Sequence, residues 1–310
     1  MRLCRFERDD QIHIGVYDER RVTPLERLAR LCGVDLPRSE SLLDYLPHGR
    51  FFEAARALSE KLADLPGDEL ARLGIDHDQV RLLVPIPRPN KLMLLAGNYA
   101  EHIKEGGGIA AERARTFPYV FMKPPTTTLT NPGDPVRIPA VSPDHIDWEI
   151  ELGVVIGRRC KGVKEKEALQ YVAGYTVVND ISDRHFKPNP NRVERPKDAF
   201  FDWLHGKWHD TFCPVGPCIV AATDIPDPQN LRLTLKVNGE VEQDSNTRHM
   251  IFPVAAVIEF ISAFVTLEPG DIISTGTPSG VGAAKGKFLR PGDRLDATIE
   301  RIGTLSNPVE

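Results

Sequence analysis

The acidic residues Glu149, Glu151 and Asp180 are placed for chemistry. In Asp147-Trp148-Glu149-Ile150-Glu151-Leu152 the two glutamates are separated by one residue. Alternate side chains of a β-strand leave by the same face, so their carboxylates would stand together. Asp180 closes the apolar run Tyr175-Thr176-Val177-Val178-Asn179, which carries it to a sheet rim where the glutamate pair can also open. Like charges this close cannot all stay ionised in a dry site. Either the strand end is wet or a cation lies between them. An all-oxygen set with no Cys or regular His cluster suits Mg²⁺, Mn²⁺ or Ca²⁺ rather than zinc or copper. The plainer readings are a solvated strand face for the pair and a strand-end cap for Asp180.

A base candidate lies upstream in Gly97-Asn98-Tyr99-Ala100-Glu101-His102-Ile103-Lys104-Glu105, followed by Gly106-Gly107-Gly108. On a helical turn His102 and Glu105 share a face. A carboxylate against an imidazole fixes its tautomer and raises its basicity, as deprotonating water requires, and the glycines would let the turn move as a lid. Without its neighbours, the same segment reads as a solvated short helix. Arg184 and Lys207 are cations suited to a substrate carboxylate or a developing oxyanion, and equally to an ordinary surface. The loop Thr275-Gly276-Thr277-Pro278-Ser279-Gly280-Val281-Gly282 offers backbone N–H groups to an anion, a weak signal by itself.

These residues need a scaffold. A chain of 310 residues with 41% hydrophobic and 27% charged residues is long enough for one large domain and a smaller one. Its net charge of -5, with no basic stripe, argues against nucleic acid as a partner. The N-terminus lacks a signal-peptide core and no apolar run is long enough to span a bilayer, so a cytoplasmic protein is expected. Five scattered cysteines without C-x-x-C spacing indicate neither a disulfide framework nor a thiolate zinc site.

Residues 1–82 mix strand-like pieces (1–6, 11–17) with helical ones (23–31, and 39–62 interrupted at Pro47-His48-Gly49), predicting a small α+β domain with no site of its own. Leu83-Val84-Pro85-Ile86-Pro87-Arg88-Pro89 marks the boundary. From 83 to 310 β signals dominate, with strands expected over 91–96, 136–138, 146–156, 173–178, 231–237, 271–275 and 294–302. Asn238-Gly239 has the chemistry of a type I′ hairpin turn. Helices are expected over 98–104, 165–169 and 254–264. Neither a dinucleotide nor a P-loop glycine signature is present, and a mixed, mainly β roll or sandwich follows.

In this order the segments resemble the fumarylacetoacetate hydrolase family over about residues 83–308. The resemblance rests on Pro85 to Lys91 leading to Gly97-Asn98-Tyr99 and His102, on Lys123-Pro124-Pro125, and on Asp147 to Leu152. It continues through Gly174 to Arg184, Gly206-Lys207 with Asp210 to Pro214, and Pro269 to Val281. It implies the family's β-sandwich roll, a homodimer, and a divalent cation, commonly Mg²⁺ with Mn²⁺ or Ca²⁺ as variants, on Glu149, Glu151 and Asp180. His102 and Glu105 would be the lid dyad. Lys207, Thr277, Arg184 and Tyr99 would face a small oxo-acid substrate.

The implied reaction is metal-dependent hydrolysis of a C–C bond in an acylpyruvate or similar dioxo acid, as in the breakdown of aromatic compounds. Dyad-activated water attacks the distal carbonyl, and a pyruvate enolate leaves, stabilised by the metal and Lys207. The alternative on the same site is decarboxylation, isomerisation or hydration of an oxo-(di)acid such as oxaloacetate; a catalytically silent binding protein is a third. The namesake enzymes carry a further acidic ligand before the catalytic His and a Gln three residues after the Arg. Here Asn98 to Glu101 and Lys187 stand at those places, so the shorter acylpyruvase-like branch fits better. An Arg-rich insert, Pro188 to Phe200, offers Arg192 or Arg195 to a second substrate carboxylate.

Overall fold

The computed structural model describes residues 1–110 and 112–310. Two central strands, Ile150–Ile156 and Val172–Asn179, are buried along their whole length, as near-continuous apolar runs must be. They pair antiparallel, with Ile150 opposite Asn179 and Glu151 opposite Val178. This register sets the Glu149–Glu151 segment against the chain end that carries Asp180.

Around them a large sheet runs, edge to edge, through Ile75–Asp76, Arg21–Pro24, Gln11–Tyr17, Arg2–Arg8, Cys213–Ala221, Val172–Asn179, Ile150–Ile156, Ile272–Ser274, Leu92–Ala96 and Tyr119–Met122. A second sheet orders Glu240–Asn246, Arg232–Val237, Arg294–Ile299 and Gly303–Pro308. Its inward residues Leu233, Leu235, Leu295, Ala297 and Ile299 meet Ile150, Leu152 and Val154 in one core, the packing of a sandwich. Trp148 is fully buried in the same core, so Trp148, Ile150 and Leu152 hold the back of the segment whose acidic side forms the site. Cutting Trp148 to Ala would cost about 3–5 kcal/mol.

The opposite face of the large sheet packs Leu92, Leu94, Val155 and Ala173 against Leu42, Tyr45, Leu46 and Ala55 from the N-terminal segment. That segment also joins the sheet itself, because Arg2 and Leu3 pair antiparallel with Val220 and Ile219. A small cluster of Leu28, Ala29 and Leu58 lies within it.

The Asn238-Gly239 hairpin is present, with φ of 53° and 84° at its two turn residues, both left-handed as a type I′ turn needs. Helix Val254–Phe264 buries Val254, Val257, Ile258 and Ile261 at helical spacing. Three expectations change. Val136 makes only an isolated bridge to Val309 rather than starting a strand. The strand expected over 294–302 is a hairpin with a partner, Gly303–Pro308. The strand expected over 146–156 breaks at Trp148–Glu149. There the Asp147 carboxylate accepts from the Trp148 N–H at 2.8 Å and the Asn179 side chain from the Glu149 N–H at 3.0 Å, so side chains replace the ladder.

Candidate metal centre and lid

Glu149, Glu151 and Asp180 converge: each offers an oxygen, and these atoms lie within 4.8 Å of one another, all buried. Glu151 comes from within the strand, Glu149 from the break before it, and Asp180 from just past Asn179, its N–H donating to the Glu149 carbonyl at 2.9 Å. Of their oxygens, Oε1 of Glu151 is buried with no hydrogen-bond partner, and Oδ1 of Asp180 meets only the Lys123 ammonium, 2.5 Å away. An orphaned carboxylate oxygen at the meeting point of an all-oxygen set fits a hard divalent cation.

Cations of the chain already surround this cluster. Lys207, from the turn after helix Asp198–His205, donates to Glu149 Oε2 at 2.8 Å and to Asp180 Oδ2 at 2.7 Å. Arg184 donates through Nε to Asp147 Oδ2 at 2.8 Å and through Nη2 to Glu149 Oε1 at 2.6 Å. The fully buried Lys123 donates to the Ile181 carbonyl at 2.8 Å and to the Phe212 carbonyl, with Asp180 Oδ1 2.5 Å away.

Titration follows from these contacts. Burial pushes the Glu149 carboxyl up, but the charges of Lys207 and Arg184 outweigh it and hold Glu149 well below the usual range. Glu151 goes the other way: burial and then the Asp180 and Glu149 charges raise it well above the ordinary value. Burial would lower Lys207, and Asp180 and Glu149 more than reverse that.

Helix Ala100–Glu105 sets His102 Nδ1 2.7 Å from Glu105 Oε1. With Glu105 accepting the Nδ1 proton, Nε2 is left as the basic nitrogen. The other oxygen of Glu105 accepts from the Gly280 N–H at 2.8 Å. Burial raises the Glu105 carboxyl, and His102 together with the Gly280 N–H lowers it below the usual range.

The 275–282 loop does cradle anions, and they are the chain's own. Its Gly276 N–H donates to Glu151 Oε2 at 2.9 Å and its Gly282 N–H to Asp147 Oδ1 at 2.6 Å, beside the Gly280 bond to Glu105. Gly276 has φ of 86°, and a Cβ there would stand 2.8 Å from the Asn98 Cβ, so the approach needs glycine.

A cavity of about 730 Å³ opens over this cluster and is lined by His102, Glu105, Glu149, Arg184, Lys207 and Thr277 among others. The Thr277 hydroxyl donates to the Ile150 carbonyl at 2.9 Å and accepts from Gln243 Nε2 at 2.8 Å. Tyr99 is a correction, since it is buried in the core rather than in the cavity wall, its hydroxyl unpartnered and within range of the Glu151 charge. Arg192 is another: it is spent on Asp198, at 2.9 Å, and on Asp202, while the exposed Arg195 holds Asp198 at 3.0 Å. Neither arginine lines the cavity, and the segment instead leads into helix Asp198–His205.

Sequence reasoning missed Asp147, Lys123, Gln243 and Ser274. Gln243, wholly buried, accepts from the Ile150 N–H at 3.0 Å, and Ser274 donates to Glu151 Oε2 at 2.5 Å. Asp147 and Lys123 lay inside the quoted motifs and had no role there; Gln243 and Ser274 carry no local signal, since their partners are far away in sequence.

A two-sheet roll with buried acids beside a His–Glu pair is the plan of an enzyme centre suited to a divalent cation. Residues 91–310 match the family described as fumarylacetoacetate (FAA) hydrolase, C-terminal, and the chain belongs to that family of enzymes. It is 42% identical over 253 residues to a 2,4-didehydro-3-deoxy-L-rhamnonate hydrolase of Sphingomonas sp. (strain SKA58), covering 81% of this chain and 84% of the relative. It is 41% identical over 275 residues to an oxaloacetate tautomerase of Bacillus subtilis (strain 168), covering 87% and 86%. Among solved structures, maleylpyruvate hydrolase of Sphingobium sp. SYK-6, in complex with manganese(II) and pyruvate, superposes with a TM-score of 0.72 at 30% identity over 100% of this chain and 98% of that one. No helix among the described residues is long and apolar enough to cross a membrane.

Proposed function

We propose that the protein hydrolyses the C–C bond between the carbonyl-bearing halves of a 2,4-dioxo acid, releasing pyruvate and a second carboxylate. The observation that carries this reading is the His102–Glu105 contact of 2.7 Å on the same cavity wall as the acidic cluster. A divalent cation on Glu149, Glu151 and Asp180, Mg²⁺ or Mn²⁺, would supply Lewis acidity toward the 2-oxo acid end. His102 Nε2 takes a proton from water, whose oxygen adds to the distal carbonyl carbon. The bond from that carbon to the methylene breaks, its electron pair passes into the pyruvate enolate, and the proton held by His102 returns to the methylene carbon. Lys207 offers its ammonium to the enolate oxygen as charge develops. The rhamnonate relative, whose substrate name places carbonyls at carbons 2 and 4, and the pyruvate in the manganese complex support this assignment.

A second reading is favoured by the tautomerase relative: the dyad moves a proton between carbon and oxygen of a 2-oxo diacid, with no bond cleaved. The test is turnover of acetylpyruvate and oxaloacetate by EDTA-stripped protein with and without Mg²⁺ or Mn²⁺. Hydrolysis predicts stoichiometric pyruvate and acetate, dependent on the cation, falling by about 10²–10⁴ in His102→Ala. Intact acetylpyruvate with rapid keto–enol exchange of oxaloacetate would hand the site to the second reading. Activity indifferent to both EDTA and Glu149→Ala would refute both.

A further inference from the structure

The cavity wall divides sharply by chemistry. Its ionisable side chains form two bonded groups, His102 with Glu105, and Glu149 with Arg184 and Lys207. Thr277 has its hydroxyl committed to Ile150 and Gln243. The remaining lining among the described residues is apolar or glycine, chiefly Phe121, Trp203, Ile103, Val281, Ala283 and Ala284. Phe121 and Trp203 meet edge to face with centroids 5.0 Å apart, and Lys207 Nζ lies 5.4 Å and 5.9 Å from their respective centroids. The aromatic wall thus begins where the charged groups end.

Both lining cations are turned toward the acidic cluster, the end at which the 2-oxo acid binds, rather than toward the aromatic wall. Arg184 already faces the carboxylates of Asp147 and Glu149, and Lys207 those of Glu149 and Asp180. The insert's arginines are held by Asp198 and Asp202. A carboxylate at the far end of a substrate would lose its hydration against aromatic and aliphatic carbon with no countercharge. Beyond the same two rings lies a second, apolar cavity of about 680 Å³, also lined by Met93, Phe117, Phe260 and Phe264. Phe121, Trp203 and Ala96 line both cavities and lie between them.

We propose that the Phe121–Trp203 wall is the acyl subsite, taking an uncharged, largely apolar acyl group and rejecting a second carboxylate, with Trp203 limiting the length accepted. This rests on the 2-oxo acid end binding as described under the proposed function.

Binding is read by calorimetry with Mn²⁺-loaded full-length protein, so the outcome does not depend on catalysis. The matched pair is 2-oxohexanoate and 2-oxoadipate, which share a carbon chain and differ in a terminal methyl or carboxylate. The monoacid is expected to bind at least about tenfold more tightly; equal or tighter binding of the diacid overturns the proposal. Trp203→Ala, which opens the wall between the cavities, is expected to improve 2-oxodecanoate over 2-oxohexanoate by about tenfold relative to wild type. An unchanged length profile in a variant that melts cooperatively overturns the role of Trp203. The wild-type pair decides the charge preference even if that variant does not fold. If the monoacid is preferred yet no acylpyruvate is hydrolysed, the subsite stands and the hydrolase reading falls.

Discussion

Lys207 occupies the place where a cation's charge is wanted, so replacing it with Met should have opposite effects on the fold and on metal binding. Its ammonium is 3% exposed and bridges Glu149 at 2.8 Å and Asp180 at 2.7 Å. With no metal, Lys207→Met removes one of the two cations from each of two buried carboxylates, leaving Arg184 on Glu149 and Lys123 on Asp180, a loss of about 3–5 kcal/mol. At about 2.1 cal/mol/K per residue, that lowers Tm by about 5–8 °C for a chain of 310 residues. With metal the sign reverses. Two unit charges about 4 Å apart at an effective dielectric of about 20 repel by about 4 kcal/mol. Recovering even half of this on removing Lys207 tightens the cation by about 10- to 100-fold. Saturating Mn²⁺ should therefore close most of the Tm gap. Catalysis should nevertheless fall by about 10²–10³, because the group proposed to meet the enolate oxygen is gone. Calorimetric titration of Mn²⁺ into EDTA-stripped wild type and variant, with melts in EDTA and in Mn²⁺, checks each part. Weaker Mn²⁺ binding by Lys207→Met would refute the reasoning, showing that Lys207 holds the carboxylates in place rather than competing for them.

The lid contact should depend on pH in one direction only. Glu105 has a carboxyl held below its ordinary value, so its ionised form contributes stability in full above about pH 4.5 and loses it as pH falls through the lowered folded value. Proteolysis at Gly106-Gly107-Gly108 should accordingly rise as pH falls below about 4.5, whereas Glu105→Gln should remove the rise. Gln243→Leu leaves the Ile150 N–H without its acceptor and Thr277 without one of its donors, a cost of about 1–3 kcal/mol by chemical denaturation. It should also weaken substrate binding by shifting Thr277. Gly276→Ala forces a left-handed φ on alanine and a 2.8 Å approach to Asn98, so it should cost about 1–3 kcal/mol and weaken Mn²⁺ binding through the displaced Glu151 contact.

Much of the site could be read from local spacing, because the geometry in question is itself local. The Glu149/Glu151 spacing, the strand ending at Asp180 and the His102/Glu105 turn each needed one element's periodicity, and the fold brings all five residues to one cavity region. Even so, the break at Trp148–Glu149 was invisible, for it depends on Asn179 and Asp147 side chains outcompeting a ladder. The strand Cys213–Ala221 was missed because Pro214 and Pro217 read as breakers. Helix Asp198–His205 hid behind the prolines and arginines of the insert, yet it carries Trp203 into the cavity wall and precedes Lys207. Lys123 shows the deeper limit: a wholly buried lysine spells the same as an exposed one, and its partners at Ile181, Phe212 and Asp180 are distant in sequence.

The 275–282 loop is where these distant parts become one device. Read alone it was a glycine-rich segment able to hold some anion. In the fold it spends its N–H groups on carboxylates with different tasks: Glu151 of the acidic cluster, Glu105 of the lid, and Asp147, which steadies Arg184. A shift of this loop therefore cannot be felt by one of them alone. The Gly280 bond is the one that lid opening must break, since Glu105 travels with helix Ala100–Glu105. The Gly276 bond need not break, because Glu151 is fixed by its strand and by Ser274. Asn98, at the base of the lid, bonds the Thr275 carbonyl at 2.8 Å and both backbone groups of Phe252, so the hinge is anchored to the same loop and to the chain entering helix Val254–Phe264. Were helix Ala100–Glu105 to swing about Asn98, the base would leave the cavity while the acidic cluster kept its geometry, so the proposed hydrolysis would activate water only with His102 back in place.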